Sequence, residues 1–235
     1  MPRWDPEAAK RLQTAAIELF LEFGYENVTV AQIADRAGLT RRTFSRYFAD
    51  KRDVLFAGSD QLPRALAAAV LAADSALPPY AALVTALASV GADLAGRVAP
   101  LAAQRRAVVA GSPELQERGR TKFADIAVAL AGALGERGAD AGNARLLASV
   151  GVAIFQSGFD RWVDDPDAAS LSMRISEAAE QLADAMAPDA AALHVPTTDP
   201  ATPSPTATIP SRQPTTGRHR APTAGVHNDA GGSIR

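Results

Sequence analysis

Arg41, Arg42 and Arg46 are the residues of this chain best placed to do recognition chemistry. Between Arg36 and Arg52 stand six cations, Arg36, Arg41, Arg42, Arg46, Lys51 and Arg52, against one anion, Asp50, although the 235-residue chain carries a formal net charge of −2. A guanidinium offers a planar fork of donors that fits guanine O6 and N7, while lysines and helix N-termini suit phosphate oxygens. Nucleic-acid binding must therefore be local, drawn from this cluster rather than from a generally basic surface. At helical spacing Arg42, Ser45 and Arg46 share one arc, Arg41 and Tyr47 lie near its edges, and Phe44 and Phe48 point the other way. The two phenylalanines read as a core anchor rather than as base-stacking groups, because so short a helix must be held by its apolar side.

Other chemistry is poorly supplied. The chain has no cysteine, and its three histidines, His194, His219 and His227, all fall in a proline-rich C-terminal segment. Thiol catalysis, thiolate metal ligation and histidine acid–base work are thus absent from the part expected to fold, with only carboxylate or lysine chemistry formally open. No metal-binding histidine spacing, phosphate-cradling glycine loop or Gly-x-Ser-x-Gly nucleophile turn is present. The expectation is a protein that is not an enzyme, with no catalytic residue, no metal and no cofactor.

The cationic helix has to be positioned, and the residues before it supply the means. Thr29 and Gln32 make a capping-box pattern, after which Val30, Ile33, Ala34 and Ala37 recur at helical spacing. Gly38 is suited to a left-handed C-cap, Leu39 supplies the accompanying apolar contact, and Thr40 can cap a second short helix. Two short helices joined by a glycine-containing turn form a helix-turn-helix, whose second member can enter a major groove. Asp50 with Asp53 reads as a cap for the following helix, which would let Lys51 and nearby amides hold a phosphate.

Residues from about 10 to 56 resemble the DNA-binding domain of the TetR family of bacterial regulators. The resemblance rests on Phe23-Gly24-Tyr25, Thr29, Ile33-Ala34, Ala37-Gly38-Leu39-Thr40, Thr43-Phe44, Tyr47-Phe48 and Lys51. It implies that Thr29, Thr40, Arg41, Arg42, Thr43, Tyr47 and Lys51 touch DNA, and that residues beyond about 56 build a helical effector-binding and dimerisation domain. The chain departs from the family at Ser45, where tyrosine is common. Repression released by a small molecule is what the resemblance implies for function.

Elsewhere the sequence reads as amphipathic helices rich in alanine and leucine, so the fold class is all-α, with about nine helices. The first shows Leu12, Ala16, Leu19, Phe20 and Phe23 on one stripe and closes at Gly24. Ser112-Pro113-Glu114 opens a helix running to about Gly135, with Ser112 as its cap. Two more run from about Asp140 to Val163 and from about Asp167 to Met186, broken at Pro166. Their stripes Leu147, Gly151, Ile154, Gly158 and Leu171, Ile175, Ala178, Leu182 are candidates for a four-helix homodimer interface. Phe123, Phe155, Phe159 and Trp162 are candidates for lining a partly apolar effector pocket or for filling the core. Arg105-Arg106 could meet an anionic effector inside the C-terminal domain, but reads rather as a surface pair on a helix.

Three regions are therefore expected: a DNA-binding domain at 1–56, a ligand-binding and dimerisation domain at 57–187, and a disordered Pro/Thr-rich tail at 188–235. The start of the chain lacks a secretory layout, and no apolar run approaches the roughly 20 residues of a membrane span, so a soluble cytoplasmic protein without a membrane partner is expected. The leading partners are double-stranded operator DNA, a second copy and an unknown effector. The rival reading is a helical module that docks protein partners through its proline-rich tail.

Overall fold

A computed structural model describes residues 6–186 of the protein, and the expected tail at 188–235 lies outside them. Among the described residues there are ten α-helical runs and no strand, nine of the runs being longer than the single turn of α4. The N-terminal unit comprises α1 (Pro6–Phe23), α2 (Val30–Arg36), α3 (Arg41–Tyr47) and α4 (Asp53–Phe56). Behind it come α5 (Leu62–Ala72), α6 (Pro79–Val98), α7 (Ala102–Ala110), α8 (Pro113–Glu136), α9 (Ala141–Asp164) and α10 (Leu171–Met186).

Two apolar cores organise these helices. In the first, Leu12, Ala16, Leu19 and Phe20 of α1 meet Ile33, Phe44, Val54 and Leu55. Phe23 leaves the predicted stripe and is 48% exposed, because α1 ends there and Gly24 turns the chain away at φ +79°. Val108 of α7 and Leu115 of α8 belong to this same core, so the N-terminal unit closes on the bundle rather than on itself alone. The second core lies among α5, α6, α8, α9 and α10, from Leu66 and Leu83 through Leu130 and Leu134 to Ile154 and Ile175.

Polar contacts tie the bundle at its ends. Arg137, just past α8, donates to the carbonyls of Val70, Ala73, Asp74 and Leu77, which satisfies the exposed C-terminus of α5 and the turn after it. The Tyr80 hydroxyl donates to the Ala179 carbonyl at 3.1 Å, linking α6 to α10. Asp140 caps α9 through the amides of Gly142 and Asn143, as the sequence leads one to expect. Two starts differ. Helix α10 begins at Leu171, because Ser170 takes the capping role by accepting from the Met173 amide. Ser112 makes no capping bond to α8: it is buried, and its hydroxyl turns to the Glu26 carboxylate at 3.4 Å.

Pro79–Ala110 is, against the expectation from the sequence, long and apolar enough to cross a membrane. The run is broken by the 3-10 turn at Ala99–Leu101. Its first helix is two-faced: Leu83, Leu87 and Val90 are buried in the second core while Thr85, Ser89 and Asp93 are exposed.

Candidate nucleic-acid interface

Helix α2 starts with the full capping box. Gln32 N donates to Thr29 Oγ1, and Thr29 N donates back to Gln32 Oε1 at 2.8 Å. It stops where Gly38 adopts φ +65°, with the Leu39 amide bonded to the Ala34 carbonyl and the Gly38 amide to that of Asp35. That pair of bonds satisfies carbonyls which the helix leaves open. Arg11, reaching over from α1, donates to the carbonyls of Ala37 and Gly38 and braces the turn from outside. A Cβ on residue 38 would stand 3.0 Å from the Arg11 guanidinium, so space as well as φ favours glycine there.

Thr40 then opens α3 by accepting from the Thr43 amide at 3.1 Å, and the two threonine hydroxyls are 3.0 Å apart. Phe44 has no exposed surface, and its ring lies 5.6 Å from that of buried Phe48. The opposite face of α3 carries Arg41, Arg42, Ser45 and Arg46, all exposed. No hydrogen bond or ion pair to a described residue engages Arg41 or Arg42. Arg46 donates to the Tyr47 hydroxyl at 3.0 Å and lies over its ring at 4.9 Å, which splays both side chains along one edge of the helix. An apolar anchor, a capped N-terminus and an outward guanidinium row are what a helix needs to lie in a groove and donate to base edges.

The other three cations of the cluster do different work. Arg36 turns to α1, pairing with Glu22 at 3.2 Å and Glu18 at 3.6 Å. The Lys51 ammonium folds inward, donating to the carbonyls of Tyr25, Val28 and Glu26 and lying 4.2 Å from the centre of the Tyr25 ring. Its place there is to close the turn between α1 and α2, since three carbonyls without helical partners face it. Arg52 pairs with Asp50 at 2.5 Å and with Glu114 of α8 at 3.2 Å. Burial pushes the Asp50 carboxyl up, but the hydrogen bonds from the Arg52 side chain and from the Asp53 and Arg52 amides outweigh it and hold the carboxyl below its usual value. Asp50 and Asp53 do shape the start of α4, accepting from the amides of Asp53 and Ala49 respectively.

Glu114 also accepts from the Tyr25 hydroxyl at 3.4 Å. Burial first, and the Glu114 carboxylate second, push that phenol above its ordinary value. Tyr25, Arg52 and Glu114 thus join the α1–α2 turn and the start of α4 to the first turn of α8. Sequence reasoning missed Arg11 and this junction, because each depends on partners more than twenty residues away and no local pattern marks them.

In the bundle, the stripes assigned to a subunit interface are used within the chain. Gly151, Ile154, Gly158, Leu171, Ile175 and Ala178 are buried, and Leu147 and Leu182 pack partly buried against the same core. A Cβ on Gly158 would fall 2.8 Å from Ile175 Cα, and one on Gly151 would fall 3.0 Å from the Leu83 methyls. The small residues therefore admit α10 and α6 against α9, the close approach expected of them but inside one chain. Phe155 and Trp162 are buried, Phe123 and Phe159 partly so, and Phe159 stacks on Phe155 at 6.3 Å and tilts against Trp162 at 5.7 Å. Phe155, Phe159 and Trp162 thus pack on one another, and Phe123 packs against the same core. Arg105 and Arg106 part company: Arg106 stays at the surface, bonded to Asp164 and to the Asp160 carbonyl, while Arg105 turns inward with its Nε buried.

Two family models match the chain. The one described as bacterial regulatory proteins, tetR family, covers residues 12–57, and the one described as the MftR C-terminal domain covers residues 77–187. Among curated relatives, the HTH-type transcriptional regulator BetI of Escherichia coli O45:K1 is 36% identical over 95 residues, which is 40% of this chain. The chain spans about half the length of that relative, 49%. Two solved structures share the fold. The SmeT–triclosan complex, SmeT being a repressor from Stenotrophomonas maltophilia, aligns with a TM-score of 0.52 at 18% identity over 76% of this chain and 90% of its own. FadR of Bacillus subtilis in complex with stearoyl-CoA aligns with a TM-score of 0.51 at 21% identity over 74% of this chain and 96% of its own.

Proposed function

Since the chain belongs to the TetR family of bacterial regulatory proteins, we propose that it is a cytoplasmic, homodimeric repressor that binds a palindromic DNA operator through α3 and releases it when a small molecule binds the helical bundle. The observation that carries this reading is the outward row Arg41, Arg42 and Arg46 on a helix whose reverse side is the fully buried Phe44. Thr29, Thr40, Thr43, Ser45 and Tyr47 border that row and complete the proposed contact set. Lys51 acts on DNA indirectly, by holding the turn from which Thr29 projects. We assign residues 1–56 to DNA binding and 57–187 to effector binding and dimerisation.

With their inner stripes occupied, α9 and α10 offer a partner copy their outer faces, where Leu146 is 63% and Met173 57% exposed. A two-fold axis through that face would set two copies of α3 side by side, and half-sites about one helical turn or a multiple apart would follow. Effector binding would then act by changing their spacing.

Fluorescence anisotropy with a duplex from upstream of the chain's own gene tests the reading. Binding should be saturable, should fall by orders of magnitude from about 50 to 200 mM salt, and should exceed binding to scrambled duplex by about a thousandfold or more. Equal affinity for both duplexes would defeat it. Sedimentation at micromolar concentration should show a dimer, and a monomer alone would defeat the two-fold arrangement.

A further inference from the structure

Among the described residues, five arginines, Arg36, Arg52, Arg106, Arg120 and Arg174, pair with carboxylates, and Arg11 and Arg137 donate to backbone carbonyls instead. Two half-buried cations of the bundle find neither a carboxylate nor another acceptor among the described residues. Arg105 of α7 and Lys122 of α8 are both largely withdrawn from water, and neither makes an ion pair within 4.0 Å of a described residue. The Arg105 Nε is fully buried and has no hydrogen-bond partner. The charge on Arg105 works against that on Lys122. Burial, then Arg105, brings the Lys122 ammonium down to about 8, with Asp60 partly offsetting them. Burial also lowers Arg105. Unpaired buried charge destabilises a fold, and it persists mainly where something else uses it.

Beside Lys122 there is a cavity of about 210 Å³. It lies between the end of α4, the start of α5 and the middle of α8. Phe56 and Pro63 give it an apolar side, and Arg64, Arg118 and Lys122 a cationic one. Asp60 and Asp125 also line it, yet neither is ion-paired to these cations within 4.0 Å. A hollow that keeps its cations unpaired although carboxylates stand nearby is arranged for an anion from outside.

We propose that this cavity binds the carboxylate or phosphate head of a small organic anion, held by Lys122 with Arg105 behind it and Arg64 at the rim, and with the ligand's apolar part against Phe56 and Pro63. Calling that ligand the effector rests on the regulatory reading above, whereas the site itself does not. Its position suits the role. Phe56 ends the DNA-binding unit, Gly58 follows at φ +76°, and α8 carries Leu115 and Glu114 into the N-terminal core and junction. An anion that draws Arg64 toward Lys122 pulls the α4–α5 linker onto α8.

The full-length chain, titrated calorimetrically at pH 7 with octanoate, its neutral counterpart octanamide and inorganic phosphate, tests the site. Octanoate should bind at least tenfold more tightly than octanamide. Lys122→Met should lower octanoate affinity tenfold or more, leave octanamide unchanged and melt no lower than the wild type, since it removes an unpaired charge. Arg64→Gln, at the exposed rim, should lower octanoate affinity less. Phosphate binding that disappears in Lys122→Met supports the site with free phosphate as the source, and octanoate binding without phosphate binding supports it with an organic acid as the source. Equal affinity for octanoate and octanamide, no binding of any probe, or undiminished octanoate binding in Lys122→Met overturns it. Octanoate that binds without weakening the DNA complex leaves the site standing and overturns its regulatory role. Octanoate that releases DNA as readily from Lys122→Met as from the wild type acts at another place and overturns this cavity as the effector site, while the regulatory reading stands.

Discussion

Between Thr29 and Asp53 nearly every turn is fixed by a residue's own neighbours: Thr29 with Gln32, Gly38 with Ala34, Thr40 with Thr43, Asp50 with Asp53. From Leu62 to Met186 the chain repeats alanine and leucine through helices of similar composition, and long-range contacts decide which face meets which. The first region carries its instructions locally and presents a surface of fixed chemistry. The second carries them in shape, so its faces can change their use without changing its helices. The first region is the one proposed to read a duplex, and the second holds a cavity lined by unpaired cations.

Removing Phe44 should have the largest effect and would show how much of the local design depends on a single anchor. Phe44→Ala empties the centre of the N-terminal core, where a large-to-small change costs about 3–5 kcal/mol. Urea unfolding should show the midpoint falling, with specific DNA binding lost at temperatures where the bundle stays helical. If the loss stays below about 1 kcal/mol, the caps alone would be holding α3, and the contrast between anchor and caps would fail.

Gly158→Ala examines the bundle in the same way. Its Cβ would press on the Ile175 backbone, and overpacking of this kind costs about 1–3 kcal/mol. Because the contact lies within one chain, the loss should be the same at low and high protein concentration. A penalty that grew on dilution would return Gly158 to a subunit interface.

That variant also marks where the sequence stopped being legible. Capping boxes, a left-handed glycine and a phenylalanine pair at i, i+4 are short-range facts, so the helix-turn-helix, its boundaries and its outward arginines could be read from Thr29–Phe48 alone. The start of α9 was readable for the same reason at Asp140, where capping is local. The use of Gly151 and Gly158 was not, since a stripe of small residues admits a close neighbour without saying which one. Ser112 and Lys51 show the same limit. Each has the residue type for a local role, and each is claimed by a distant partner: Glu26 in one case, the carbonyls of Tyr25 and Val28 in the other.

Arg42→Ala sharpens the comparison on the other side, because it should touch recognition and nothing else. The side chain has no partner among the described residues, so unfolding should be unchanged, while a lost bidentate base contact costs about 1–3 kcal/mol of DNA binding and relaxes preference at one base pair. If affinity falls equally for all sequences and the salt slope drops by about one, Arg42 would be a phosphate contact instead. Arg46→Ala, by contrast, should also remove the Arg46 contact to the Tyr47 hydroxyl and ring, and its loss should not add with that of a Tyr47→Phe variant.

The smallest expected effect belongs to Lys122, and its sign is the informative part. Facing it are Arg105 of α7, Asp60 and Arg64 near the start of α5, and Arg118 and Asp125 on α8 itself. In the folded chain its ammonium titrates at about 8, against an ordinary value of 10.5. The folded state therefore binds this proton more weakly than the unfolded one, so the cost of burying the charge is fully present below pH 8 and fades as pH rises toward 10.5. Between about pH 7 and 9.5 the wild type should gain stability relative to Lys122→Met by on the order of 1 kcal/mol, read from urea midpoints at the two values. A saturating anion in the cavity should restore the charged form and flatten that difference. A variant that instead loses stability at both pH values would make Lys122 a structural prop, and the bundle would then be as locally committed as the helix-turn-helix in front of it.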